Sequence, residues 1–309
     1  MPIRIAIVGL GKIARDQHIP AIAADDRFTL ASVASRHLPD DLAVPGFETL
    51  GDLLNAKRDL VDAVAICTPP SVRHDFALQA LEAGLAVMLE KPPAATLGEV
   101  EHLERVARER GGVLFAAWHS QANRSVAVAR ELLAGEEVAR LRIEWFEDVR
   151  KWHPGQDWIW EPHGFGVFDP GINALSIASA ILPQPLFVRD ATLSVPADKQ
   201  APIAARIAFV GEEGAMSADM DWRFTEGERW TIRVETAGGR TIEILDGGAR
   251  LAVDGEERDV GGPGEYPALY ARFAELIAAR EVEVDREPLR IVADAMLVGR
   301  RETVEPFED

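Results

Sequence analysis

Between residues 3 and 118, short β-branched and apolar runs alternate with stretches in which apolar positions recur every three or four residues. IRIAIVGL, FTLASVAS, AVAIC, AVMLE and VLFAAW are near-continuous apolar runs bounded by turn residues, the pattern of strands covered on both faces. HDFALQALEAG and LGEVEHLERVARERGG read as helices, the second closed by the glycine pair expected past a helix C-terminus. Strand and helix in alternation predict a doubly wound α/β domain around a parallel sheet.

The pattern changes after residue 120. A helix (SVAVARELLAG) leads into a longer strand, LRIEWFEDV, then a tryptophan-rich segment and a helix near 169–182. FVRDATLSV, PIAARIAFV, AMSADMDWRF, RWTIRVETAGG, RTIEILDGG and ARLAVDG follow, shaped like an antiparallel meander, and helices near 265–280 and 287–301 close the chain. The expected architecture is α/β plus α+β: a Rossmann-type domain over 1–120, and over 121–309 a substrate-binding domain built on an open, mostly antiparallel sheet.

Composition narrows the function classes. A chain of 309 residues has room for these two domains, and a net charge of -18 argues against nucleic acid or an anionic membrane as partner. No apolar stretch is long enough to span a bilayer, and MPIRIAIVGLGKIA is broken by glycines like a first strand and turn rather than a leader. The single cysteine, Cys67, excludes an internal disulfide and a cysteine-rich metal site and suits a reducing cytoplasm. No HExxH motif or close histidine cluster points to a metal.

Chemistry enters at the first turn. Gly9, Gly11 and Ala14 form a GxGxxA pattern between a strand and a helix, with Lys12 and Ile13 in the same turn, inside a βαβ unit that closes by about residue 35. Gly9 permits the turn, Gly11 lets a pyrophosphate approach the backbone, Ala14 allows close packing, and the helix N-terminus attracts the anion. The second strand ends in Ser35, Arg36 and His37, where an acidic residue would hold the ribose of NAD. Arg36 can instead pair with a 2′-phosphate, so NADP is expected as the preferred cofactor with NAD tolerated. His18 and His74 stand near the nucleotide loops, with nothing beyond position to give them a role.

CTPPSVRH, LEKPPA and DPGIN, in this order across both domains, resemble the glucose-fructose oxidoreductase and inositol dehydrogenase family. WHPGQDWIWEPHG and GVFDPGINALSI look most similar to its sugar 1-dehydrogenases acting on L-arabinose and D-galactose. The resemblance implies an aldose losing a C1 hydride to the nicotinamide and an anomeric proton to the protein, which leaves a lactone. It further implies cofactor contacts at Cys67, Thr68, Pro69, Glu90 and Lys91, and a homodimer joined through the open sheet face.

Lys91 matches the family's catalytic lysine, and Asp169 the aspartate at the start of the second-domain helix. Asn173, where many relatives carry histidine, stands four residues on and shares a helical face with Asp169. An amide takes no proton at neutral pH, which leaves Asp169 or Lys91 as acceptor. We favour Asp169, with Lys91 and Asn173 orienting the sugar oxygen; the competing reading of Asp169 is a helix N-cap before Pro170. Lys91 acts as a base only where burial or neighbours depress its pKa, and otherwise as a cation.

Four of the seven tryptophans, Trp145, Trp152, Trp158 and Trp160, crowd one short segment. Indole rings suit the apolar faces of a pyranose. Trp152 and, more weakly, Trp230 are candidate sugar contacts, while Trp145 and Trp158 are read as core. His119, Glu147 and His153 are candidate partners for sugar hydroxyls. Two other readings remain open: a catalytically silent sugar or nucleotide sensor, and a dehydrogenase of the same family acting on an inositol, a diol or an imine.

Overall fold

The computed structural model describes residues 1–57 and 60–308. They resolve into two compact units, the first made of the described residues up to 119 with 263–286 and the second of 120–262 with 287–308.

In the first unit, β1 (Ile3–Val8), α1 (Ile19–Ala23), β2 (Phe28–Ala34), β3 (Gly46–Phe47) and α2 (Leu50–Lys57) are followed by β4 (Ala63–Ile66) and α3 (Pro70–Glu82). Then come β5 (Ala86–Glu90), α4 (Leu97–Glu109) and β6 (Leu114–Ala117). Thr96 starts α4 with a capping box, its side chain accepting from the Glu99 amide while the Glu99 carboxylate accepts from the Thr96 amide.

In the second unit, α5 (Arg124–Leu133), β7 (Val138–Phe146), α6 (Val149–Trp152) and α7 (Phe168–Ile181) precede β8 (Val188–Pro196), β9 (Ala204–Phe209) and β10 (Met216–Asp221). The strands continue as β11 (Arg229–Thr236), β12 (Thr241–Leu245), β13 (Arg250–Val253) and β14 (Glu256–Arg258). The chain then returns to the first unit as α8 (Glu265–Ala279) and β15 (Val282–Glu283), and ends in the second as α9 (Glu287–Val298) and β16 (Arg300–Val304).

The first sheet has seven strands in the order β15-β6-β5-β4-β1-β2-β3, every neighbouring pair parallel. Its order reverses between β1 and β4, so the chain leaves their C-terminal ends in opposite directions and opens a crevice there. Five strands were expected; β3 and β15, of two residues each, are too short to show a pattern.

The second sheet has nine strands in the order β14-β13-β12-β11-β7-β10-β9-β8-β16. Most pairs are antiparallel, as expected, but β10 runs parallel to β7 and β16 parallel to β8. Leu141, Ile143 and Trp145 of β7 are buried, with α7 packed against this strand, while the alternate side chain of Arg142 is exposed.

A single cut at residue 120 does not describe this division. β15 pairs with β6, and Tyr270 and Phe273 of α8 pack on Phe28, so 263–286 completes the first unit rather than the second. That return is a tertiary pairing, which local periodicity does not register.

Candidate functional site

The nucleotide-binding features gather at the C-terminal ends of the first unit's strands. Gly9 has φ of 93°, and a Cβ there would lie 2.9 Å from Thr68 Cγ2 and 3.0 Å from its amide nitrogen. This position demands glycine because two strand ends meet across it. At Gly11 a Cβ would meet no protein atom within 4 Å, so nothing in the fold itself calls for glycine there. A phosphate lying close over the backbone does, and the residues present fit a dinucleotide.

Beyond the turn Ala14 is fully buried, and the helix widens to a π-type turn over Ala14–His18. Lys12 is exposed and paired with Asp16 one turn on, and Ile13 is half-buried. The Ser35 hydroxyl accepts from the amides of Leu10 (3.3 Å) and His37 (3.4 Å), tying the end of β2 to the glycine turn. Arg36 and His37 are exposed beside it.

Cys67, Thr68 and Pro69 form the turn between β4 and α3, and Glu90 and Lys91 lie at the end of β5. Arg73, deeply buried, donates to the carbonyls of Thr68, Pro92 and Glu90, the last at 2.6 Å. One guanidinium thus ties together the loops of CTPPSVRH and LEKPPA.

The Glu90 carboxylate is buried among donors. Oε1 accepts from the Tyr266 hydroxyl at 2.7 Å and lies 2.9 Å from His18 Nε2, while Oε2 accepts from the Lys91 amide at 2.9 Å. His18 Nδ1 is in turn 2.8 Å from the Tyr270 hydroxyl. Burial opposes the charge of Glu90, but His18, by hydrogen bond and charge, and then His119 and Tyr266 hold it well below the usual carboxylate range. Burial likewise opposes protonation of His18, yet Cys67, Tyr270 and Glu90 outweigh it and hold His18 well above the usual histidine range. Burial pushes the Tyr270 hydroxyl up to about 12. His18, assigned no role from position alone, is therefore one member of a buried charged pair.

The predicted substrate residues divide between the units. Lys91, half-buried, and His119 stand in the first, where His119 Nδ1 lies 2.9 Å from Glu265 Oε2 and its ring stacks on Tyr266. Glu147, Trp152, His153, Asp169, Asn173 and Trp230 stand in the second.

Asp169 lies inside the first turn of α7, whose N-cap is Val167, so the alternative reading of Asp169 as the cap does not hold. The turn before it is tightly wound, with His163 and Phe165 both at positive φ (73° and 70°). The glycine of DPGIN also has a packing reason, because a Cβ on Gly171 would lie 2.4 Å from Met220 Sδ on β10. Asp169 is buried, with Oδ2 3.5 Å from His153 Nε2. Asn173, one turn on, is half-buried.

Buried Glu147 receives two indole donors, Trp222 at 3.1 Å on Oε1 and Trp230 at 2.9 Å on Oε2. Trp230 lies between Trp145, stacked at 5.8 Å, and Trp152, tilted at 5.5 Å. His153 packs its ring 5.2 Å from Trp222. Trp145 is core, as expected, but Trp158 is half-buried and donates to Gln156, which corrects its assignment to the core. Trp222, fully buried and known from the sequence only as part of a strand run, links Glu147 to His153. It sits at the end of an ordinary strand pattern with nothing local to distinguish it.

Among the described residues no group of histidine, cysteine and carboxylate side chains could hold a metal ion, and no helix is long and apolar enough to cross a membrane.

The profile of an oxidoreductase family with an NAD-binding Rossmann fold matches residues 3–118. A galactose 1-dehydrogenase of Pseudomonas fluorescens is 46% identical over 309 residues, covering 100% of this chain and 99% of that protein. The crystal structure of a D-galactose-1-dehydrogenase protein from Rhizobium etli superposes with a TM-score of 0.92 at 48% identity, covering 99% and 98% of the two chains. A 3-ketoreductase from Actinomadura kijaniata, solved with NADP and TDP-benzene, shares the fold over the full length of both chains at 19% identity (TM-score 0.83).

Proposed function

The chain belongs to the oxidoreductase family with an NAD-binding Rossmann fold, and on that premise we propose that it is an aldose 1-dehydrogenase, oxidising C1 of a pyranose to the lactone with NADP preferred over NAD. The observation that carries this reading is identity of 46% with a galactose 1-dehydrogenase from one end of the chain to the other.

The bound nicotinamide supplies the hydride acceptor. Asp169 takes the proton of the anomeric hydroxyl, and the Lys91 ammonium stabilises the negative charge that develops on that oxygen. Asn173, on the same face of α7 as Asp169, orients the oxygen by hydrogen bonding. Trp152 and Trp230 present indole surface to the sugar, and His119, Glu147 and His153 serve its hydroxyls. Gly11 and the helix N-terminus beside it take the pyrophosphate, and Arg36 the 2′-phosphate.

L-Arabinose and D-galactose share their configuration at C2, C3 and C4 as pyranoses and differ by a hydroxymethyl group at C5. A pocket reading those three hydroxyls accepts both, with D-fucose. Inverting one leaves a buried polar partner unpaired, at roughly 1–3 kcal/mol, so D-glucose reacts more slowly. Formation of reduced nicotinamide across an aldose panel tests the reading. Faster oxidation of D-glucose or myo-inositol than of both proposed sugars overturns the specificity, and absence of turnover on every sugar favours a sensor. A homodimer through the open face of the second sheet, where Arg142, Arg206 and Asp219 form ion pairs, is proposed as the assembly.

A further inference from the structure

The backbone around Lys91 is held from several directions by buried polar side chains. Its amide donates to Glu90 Oε2 at 2.9 Å, the Glu90 carbonyl before it accepts from Arg73 at 2.6 Å, and the same guanidinium donates to the Pro92 carbonyl after it. The other oxygen of Glu90 meets Tyr266 and His18, and His18 is held from its far side by Tyr270. These side chains come from four separate places: the helix that follows the glycine turn, β5, α3 and α8. All are at least nine-tenths buried.

Burying a carboxylate, an imidazole and a guanidinium is an expensive way to fill a core, since well-packed apolar residues serve stability as well or better. What such a network provides is a fixed direction. Lysine carries its charge on a long flexible stem, and an ammonium aimed at a developing alkoxide is sensitive to displacements of about 1 Å. Fixing the root of the stem removes part of that freedom.

We propose that Glu90, His18, Tyr266 and Arg73 are positioning residues for Lys91, acting on the reaction by pinning the Lys91 backbone between the glycine-turn helix, α3 and α8. The proposal rests on the reading of Lys91 as the group that holds the anomeric oxygen. It goes further by assigning a positioning role to buried side chains around Lys91, two of which, Tyr266 and Arg73, belong to no dinucleotide fingerprint.

The test is a double-mutant cycle. Tyr266→Phe removes one hydroxyl and keeps the ring; in the native background it should lower kcat about tenfold, with KM for the sugar and the NADP dissociation constant within about twofold. In a Lys91→Ala background, itself slower by about a hundredfold or more, the same substitution should change the residual turnover less than about twofold, because the group it positions is gone. Hydrogen exchange at the Lys91 amide, followed in the cofactor-free protein, should speed up in Tyr266→Phe. Glu90→Gln, taken through the same cycle, gives the same reading should Tyr266→Phe fail to fold. An equal loss in both backgrounds, or faster exchange with unchanged kcat, overturns the positioning role. Native turnover in Lys91→Ala overturns the role of Lys91 itself and is distinguished by that single variant.

Discussion

His153 Nε2 lies 3.5 Å from Asp169 Oδ2, so the carboxylate proposed as proton acceptor is buried beside an imidazole delivered by a different segment of the same unit. Asp169→Asn keeps the shape and removes the acceptor. It should lower kcat by about a hundredfold or more with NADP affinity intact, since general-base help is typically worth that much. His153→Gln should cost less, and the double variant should be no slower than Asp169→Asn within about threefold, because both act at one carboxylate. Near-native turnover of folded Asp169→Asn would remove the aspartate from the reaction.

Trp222 and Trp230 both donate to Glu147, and the first is fully buried. Trp222→Phe takes the indole donor away from buried Glu147 Oε1 and should lower the unfolding free energy by about 1–3 kcal/mol, measured by urea denaturation. A change below about 0.5 kcal/mol would mean that Glu147 finds another donor without cost.

Arg36 is exposed beside the Ser35 hydroxyl that ties β2 to the glycine turn. Loss of a charge-assisted contact costs roughly 1.5–3 kcal/mol, so Arg36→Ala should reduce kcat/KM with NADP by about ten- to a hundredfold and leave kcat/KM with NAD nearly unchanged. Equal losses with both cofactors would place Arg36 outside the 2′-phosphate site.

The buried His18–Glu90 pair makes stability depend on pH from both sides. His18 is raised against the opposition of burial by Cys67, Tyr270 and Glu90, so its contribution is complete below the ordinary histidine value of about 6.5 and is lost as pH climbs through the raised native value. Glu90 is lowered against burial, chiefly by His18, so its contribution is complete above about 4.3 and is lost as pH falls through the lowered native value. Thermal unfolding should therefore show its highest midpoint between those limits and decline on the alkaline side. His18→Gln should flatten the alkaline decline; an unchanged slope would show that His18 does not carry it.

The parts of the proposed site readable in the sequence are those whose chemistry is local. Gly9 and Ala14 declare a turn by spacing, Arg36 declares itself by replacing an acid at a strand end, and EKP and DPGIN mark Lys91 and Asp169 within a few residues. Arg73 sits inside a motif that was read, yet its three carbonyl partners in two loops are a fact of folding. Tyr266 meets Glu90 across 176 positions, and no periodicity shows which hydroxyl of an apolar helix turns inward to a carboxylate. Trp222 is equally silent, an aromatic among many on an alternating strand. For the same reason the parallel pairing of β10 with β7 was missed: alternation says that a face is buried but not which neighbour it pairs with.

The return of 263–286 to the first unit also bears on how the protein is made. On a ribosome the nucleotide-binding strands emerge first, but α8, with the hydroxyls that meet Glu90 and His18, follows only after the strands of β7 to β14 have been synthesised. Until then Glu90 and His18 cannot complete their buried pairing, and Phe28 lacks the aromatic rings that cover it. Vectorial synthesis therefore delivers the part that binds nucleotide unfinished, and its last core contacts close only after the strands β7 to β14 of the second unit have been made.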